Sequence, residues 1–177
     1  FPVTCMVLEE DPFFKFELAE SLDAGRYTEA ERSAAPAISR SVIENAVAVD
    51  YALNRVTELK RCKTPIRNIL RIGAARIVFS DMANAKAVSS AVDICRAVGK
   101  GAQSGYVNAT LRALSKHDIV WPKDPIRSIA VRYSWPEWFC EEMAADFSHD
   151  FAAGFLTYRQ HLPTRLRHNP RRPNRDA

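Results

Sequence analysis

The residues best able to act as nucleophile or metal ligand are four cysteines and four histidines, and their spacing supports neither role. Cys5, Cys62, Cys95 and Cys140 are far apart and form no C-x-x-C pair. They are expected to be small, reduced, buried thiols of a cytoplasmic protein. His117, His149, His161 and His168 fall at no metal-ligand spacing with the cysteines or with each other, so no zinc site is expected. What the sequence does concentrate is positive charge. Lys60, Arg61, Lys63, Arg67 and Arg71 lie within twelve positions. Such side chains neutralise phosphates, an electrostatic chemistry that drives affinity for a polyanion without reading its sequence.

The charge is segregated along the chain. The net charge is only +4, yet residues 32–116 carry 14 basic and 5 acidic side chains, a net +9. Residues 1–31 hold 2 and 8, residues 117–155 hold 3 and 7, and residues 156–177 hold 6 and 1. A basic middle between acidic flanks is a candidate footprint for nucleic acid, although cations on solvated helix faces are also ordinary. With 47% apolar and 26% charged residues, the 177-residue chain has the composition of a globular protein with a real core. No apolar run approaches the roughly 20 residues that span a bilayer. Phe1–Leu8 lacks a basic start and runs into Glu9, Glu10 and Asp11, so no signal peptide is expected, and residues are expected to be missing before Phe1.

Helical periodicity must position these side chains. Val3, Met6 and Val7 suggest a first helix, and Phe14, Leu18 and Leu22 a second that stops before Gly25. Ile38, Val42, Val49, Leu53 and Val56 mark two more. Pro65 suits the first turn of a helix carrying Ile66, Ile69, Leu70, Gly73, Ile77 and Val78 on one face. That face leaves Arg67 and Arg71 on the solvent side, or paired locally with Glu58. Val88, Ala91, Val92, Cys95 and Val98 form the next stripe, closed by a turn at Gly99-Lys100-Gly101, and Tyr106, Val107, Thr110, Leu111 and Leu114 the last. Strand signals are nearly absent from residues 1–160. The fold class is all-α. Prolines at 122, 125 and 136 punctuate a boundary, giving domains 1–117 and 118–177. The second is a small, incomplete helical unit in which Trp138, Phe139, Met143, Phe147, Phe151 and Phe155 are expected to be core.

Three segments in order carry a family resemblance: IRNILRIGAARIVF (66–79), AVSSAVDICRAVG (87–99) and GYVNATLRALSK (105–116). They resemble the last helices of the NusB family, and SRSVIENAVAVDYALNRV (39–56) resembles its preceding helix pair. YSWPEWFCEEM (133–143) and TRLRHNPRRPNRD (164–176) resemble the continuation found in the RsmB (Sun/Fmu) family of small-subunit rRNA cytosine-5 methyltransferases. The resemblance implies a NusB-like bundle that binds rRNA and positions it for a SAM-dependent catalytic domain.

The catalytic domain itself is not legible here. Cytosine-5 transfer needs an activated thiolate, in that family after Pro or Thr, and a glycine-rich SAM loop after a strand. No cysteine follows proline, and Thr4-Cys5 sits in the expected first helix. No cofactor is therefore expected in this chain, SAM being expected of a full-length relative. The candidate RNA-contacting residues are Lys60, Arg61, Lys63, Arg67, Arg71, Arg112 and Lys116. Asn108, one turn before Arg112, suits a buried hydrogen-bonding peg. The tail arginines (Arg159, Arg165, Arg167, Arg171, Arg172, Arg175) suit a second RNA-binding unit or an RNA arm. Small-subunit rRNA is the expected partner, with a ribosomal protein or a catalytic domain as further ones. The alternatives are a NusB-type antitermination factor, which binds RNA and a ribosomal protein, and a helical adaptor without RNA affinity.

Overall fold

A computed structural model describes residues 27–158, and every regular element among them is helical. Eight α-helices follow in order: α1 Glu29–Glu44, α2 Ala46–Asn54, α3 Thr64–Phe79, α4 Asn84–Ala97, α5 Ser104–Lys116, α6 Pro125–Tyr133, α7 Glu137–Asp146 and α8 His149–Thr157. Short 3-10 turns stand at Leu59–Arg61 and Gly101–Gln103. The helices anticipated before Gly25 and the tail arginines lie outside the described residues.

The bundle is organised around α3. It packs on α1, α2, α4 and α5, so its buried residues run almost all the way round: Ile66, Asn68, Ile69, Leu70, Ile72, Gly73, Ala74 and Ala75. The sequence pattern suggests a single apolar face. Four neighbours instead leave α3 little open surface, which is why Ile72 and Ala75 are as deeply buried as Ile69 and Leu70. Pro65 opens this helix as expected. Its partners bring complementary stripes, with Val49 and Leu53 from α2, Ala91 and Cys95 from α4, and Val107 and Leu111 from α5.

The connections are built locally. Asn45, between α1 and α2, donates from Nδ2 to the Ser41 carbonyl at 2.8 Å. Asn54 Oδ1 accepts from the Leu59 amide at 3.2 Å and steers the next turn inward, so that Leu59 plugs the core. After α4, Gly99 takes φ +71. The Lys100 amide returns to the Cys95 carbonyl at 2.9 Å and the Gly99 amide to Arg96 at 3.1 Å, the paired bonds of a Schellman cap.

Residues 118–158 form a second cluster around Ile126, Ala130, Cys140, Ala152 and Leu156. It is fastened to α2. The Tyr51 hydroxyl donates to the Val120 carbonyl at 2.9 Å, and the Tyr51 ring stacks on Trp121 at 5.7 Å. Ser134, in the left-handed region at φ 56, accepts the Ala48 amide on its hydroxyl at 3.2 Å.

The aromatic stripe of this unit is not core. Phe147, Phe151 and Phe155 are 60%, 51% and 54% exposed and Trp138 is 61% exposed, while Phe139 and Met143 are half-buried. The reason lies in α8, where the buried i, i+4 pair is Ala152 and Leu156. The phenylalanines occupy the stripe one residue over, an offset that periodicity alone does not resolve. Burial pushes the thiols of Cys95 and Cys140 above the ordinary cysteine value, as suits structural cysteines. Cys62 is half-buried instead.

Gly73 sets the closest helix approach. A Cβ there would run into Leu111 Cδ1 of α5 and stand 3.3 Å from Ala91 Cβ of α4. Leu111 is fully buried, so its methyls can yield only by repacking their neighbours. Gly73→Ala is therefore expected to lower stability by about 1–2 kcal/mol, overpacking outweighing the gain in helix propensity. Urea unfolding checks this, and Gly73→Ala/Leu111→Ala should lose less than the sum of the two single changes.

Candidate nucleic-acid interface

The structure sorts the seven candidate cations into three environments. Lys60, Arg61 and Lys63 are exposed on the turn between α2 and α3, held out by the buried Leu59. Arg61 touches Glu58 at 2.5 Å, but the two side chains are 82% and 68% exposed, so the pair is weak and easily exchanged for a phosphate. A hollow of about 370 Å³ opens beside the turn, lined by Arg61, Cys62, Lys63, Gln103 and Tyr106 among others. Helical spacing groups Tyr106 with the apolar stripe of α5. In the fold it is 42% exposed, its hydroxyl 2.5 Å from Thr57 Oγ1 and 3.3 Å from Cys62 Sγ. Partial burial, reinforced by the Cys62 contact, raises its phenol above the ordinary value.

Arg67 and Arg71 are not on a free solvent face. Arg71 forks onto Asp50 of α2, Nε to Oδ1 at 2.7 Å and Nη2 to Oδ2 at 2.5 Å, with only 21% of its side chain exposed. This bidentate pair uses the charge inside the protein. Arg67 is half-buried, contacts Thr64 Oγ1 at 3.4 Å through Nη2, and has Nε buried with no hydrogen-bond partner. For Arg71 the cause is the packing of α2 against α3, which brings Asp50 to it; for Arg67 it is that four helices packed on α3 narrow the arc that periodicity leaves to solvent.

Arg112 and Lys116 face elsewhere. They line a groove of about 620 Å³ between the antiparallel helices α4 and α5, together with Arg96. Asn108 is half-buried on the groove wall rather than a buried peg, and accepts from Arg112 Nε at 3.1 Å. A further hollow of about 590 Å³, which includes Phe79, Trp121 and Arg132, shares Asn84 and Ser115 with that groove. The Arg132 guanidinium sits over the Trp121 ring at 5.7 Å. Arg76 carries no distinguishing signal in the sequence; burial depresses its guanidinium pKa, and Nη1 donates to Ser90 Oγ at 2.6 Å. Among the described residues no cluster suits a metal ion, and no helix is long and apolar enough to cross a membrane.

A profile of the NusB family matches residues 6–116, more than half of the chain. The chain belongs to the NusB family. Its NusB region thus includes α1–α5 and the basic turn, and leaves α6–α8 outside. Similarity to full-length proteins runs further. The ribosomal RNA small subunit methyltransferase B of Xanthomonas campestris pv. campestris is 26% identical over 167 residues, covering 93% of this chain and 36% of that protein. Its counterpart in Xylella fastidiosa strain Temecula1 is 27% identical over 171 residues, 96% of this chain and 38% of the relative. A probable ribosomal RNA small subunit methyltransferase B of Bacillus subtilis is 25% identical over 117 residues, 62% of this chain and 26% of the relative. The chain thus spans well under half the length of these relatives. No solved structure matches it.

The Arg71–Asp50 pair yields a stability test. Arg71→Ala strands a half-buried carboxylate and is expected to cost about 1–3 kcal/mol, the scale of hydrogen bonds to charged groups. Arg61→Ala, in the exposed pair, should stay within about 0.5 kcal/mol. Urea midpoints of the two variants check this, and equal shifts would show that the buried fork contributes nothing special.

Proposed function

We propose that this chain is the rRNA-binding part of a small-subunit rRNA cytosine-5 methyltransferase, holding RNA by its phosphates. The observation that carries the reading is the extent of similarity. The match to relatives named as rRNA methyltransferases continues past residue 116 and covers 93% and 96% of the chain. That span includes the α6–α8 unit, for which a free-standing antitermination factor of the NusB type gives no account. The exposed cations of the Leu59–Arg61 turn and of α5 supply the electrostatics such a role needs.

Among the described residues no strand leads into a glycine-rich loop, and Cys95 and Cys140 are buried with raised thiol pKa values. SAM does not fit these elements.

On this reading the turn carries phosphate contacts and Arg71 does not. Titrating a structured small-subunit rRNA fragment at several salt concentrations tests it. Lys60→Ala/Arg61→Ala/Lys63→Ala is expected to reduce the log–log salt slope by roughly 0.7–0.9 for each phosphate no longer neutralised, while leaving the urea midpoint unchanged. A wild-type protein without RNA affinity would favour the adaptor. Equal slopes for variant and wild type would remove the turn from the interface.

A further inference from the structure

We infer that the groove between α4 and α5, with the hollow it joins at Asn84 and Ser115, is a track for single-stranded RNA. The inference rests on the RNA-binding reading and deepens it by naming the form of RNA and a path separate from the basic turn. Four cations border this path: Arg96, Arg112 and Lys116 along the helix pair, and Arg132 at the far end. Two carboxylates also line it. Asp93 is already paired with Arg96 at 3.3 Å, which leaves Asp118 to oppose the others. Arg112 and Lys116 are one helical turn apart on α5, so their heads follow one another along the groove at about 5–6 Å. Ser89, Ser104, Ser115 and Asn108 line the same groove, groups that hydrogen-bond phosphate and ribose oxygens.

The character of the path changes past Asn84. The adjoining hollow is bordered by Phe79, 37% exposed at the end of α3, and by Trp121. Trp121 is already engaged by Tyr51 and Arg132, so its part is to position the Arg132 guanidinium. Phe79 has no such ring partner among the described residues and offers a surface for a base. Each hollow is of a size that holds a compact organic ligand. A cationic rail that ends on an aromatic ring is the combination by which proteins hold single strands, the rail on the backbone and the ring on a base. An acidic peptide would use the rail but gain nothing from the ring. A duplex keeps its bases stacked inside and would forgo Phe79.

The groove is made by α4 and α5 alone, whereas the adjoining hollow is closed by the 117–121 segment and the end of α6 against the ends of α3 and α5. Trp121 and Arg132 come from beyond the NusB match, and Arg96, Arg112 and Lys116 from within it. The two helical units together make one site.

The test uses the whole chain and a 12-nucleotide single strand carrying 2-aminopurine, with a duplex of equal length and polyglutamate as comparisons. Arg112→Ala/Lys116→Ala is expected to lower the single-strand salt slope by about 1.4, two phosphates at roughly 0.7 each. Phe79→Ala is expected to weaken single-strand binding about tenfold and diminish 2-aminopurine quenching with the slope unchanged, and Phe79→Tyr to restore both. Unchanged urea midpoints exclude misfolding; if Phe79→Ala unfolds, Phe79→Leu against Phe79→Tyr takes its place. Wild-type single-strand binding by the groove and Phe79 variants, with binding abolished in the turn variant, overturns this inference and leaves the RNA reading intact. Equal competition by polyglutamate overturns the assignment to RNA, and no RNA binding by wild type overturns both.

Discussion

Every other packing relation in the bundle follows from the burial of α3. Because α1, α2, α4 and α5 all lie against it, α3 must be narrow where they come closest. Gly73, Ala74 and Ala75 provide that narrow stretch, and Gly73 lets the Leu111 methyls sit against the helix backbone. Interiors pack at crystal-like density, so the approach distance set at Gly73 fixes the positions of α4 and α5 and hence the groove between them. On another side of α3, the packing of α2 turns Arg71 from a surface cation into half of an internal fork with Asp50.

Charge is thereby divided between structure and surface. The net +9 of residues 32–116 overstates what a polyanion meets, because Arg71 is neutralised and Arg67 is half-buried. Among the cations that stay exposed, two groups stand together, the turn bearing Lys60, Arg61 and Lys63 and the groove bearing Arg96, Arg112 and Lys116. The two differ chemically. The turn offers exposed cations with one exposed carboxylate beside them, whereas the groove orders its cations between helix walls and leads toward aromatic rings.

The second unit is built with less to bury. Its core consists of Ile126, Ala130, Cys140, Ala152 and Leu156, with the Trp135 indole tied to the Leu156 carbonyl at 2.9 Å. Its phenylalanines stack on one another at the surface, Phe147 on Phe151 at 5.1 Å and Phe151 on Phe155 at 6.3 Å. Attachment to α2 through Tyr51, Trp121 and Ser134 therefore matters more here than in a self-sufficient bundle, and it also places Arg132 on the hollow that adjoins the groove.

The helical elements are encoded locally. The 3.6-residue stripes, Pro65 and the Gly99 turn located α3, α4 and α5, and the ordered motifs from 39 to 116 carried the family, because periodicity, helix starts and caps are properties of neighbours along the chain. Which faces those elements show depends on how they pack together. Whether Arg71 meets water or Asp50 depends on a residue 21 positions away on another helix. Whether Phe151 or Ala152 faces the core of α8 depends on a packing offset of one residue, which an amphipathic pattern with two adjacent apolar stripes leaves open. Arg96 and Phe79, separated in sequence and unremarkable there, line two adjoining hollows that share Asn84 and Ser115, because a helix pair and a returning segment bring those elements together. Local patterns encode local conformation, and a site assembled from distant residues becomes visible only once those residues are packed.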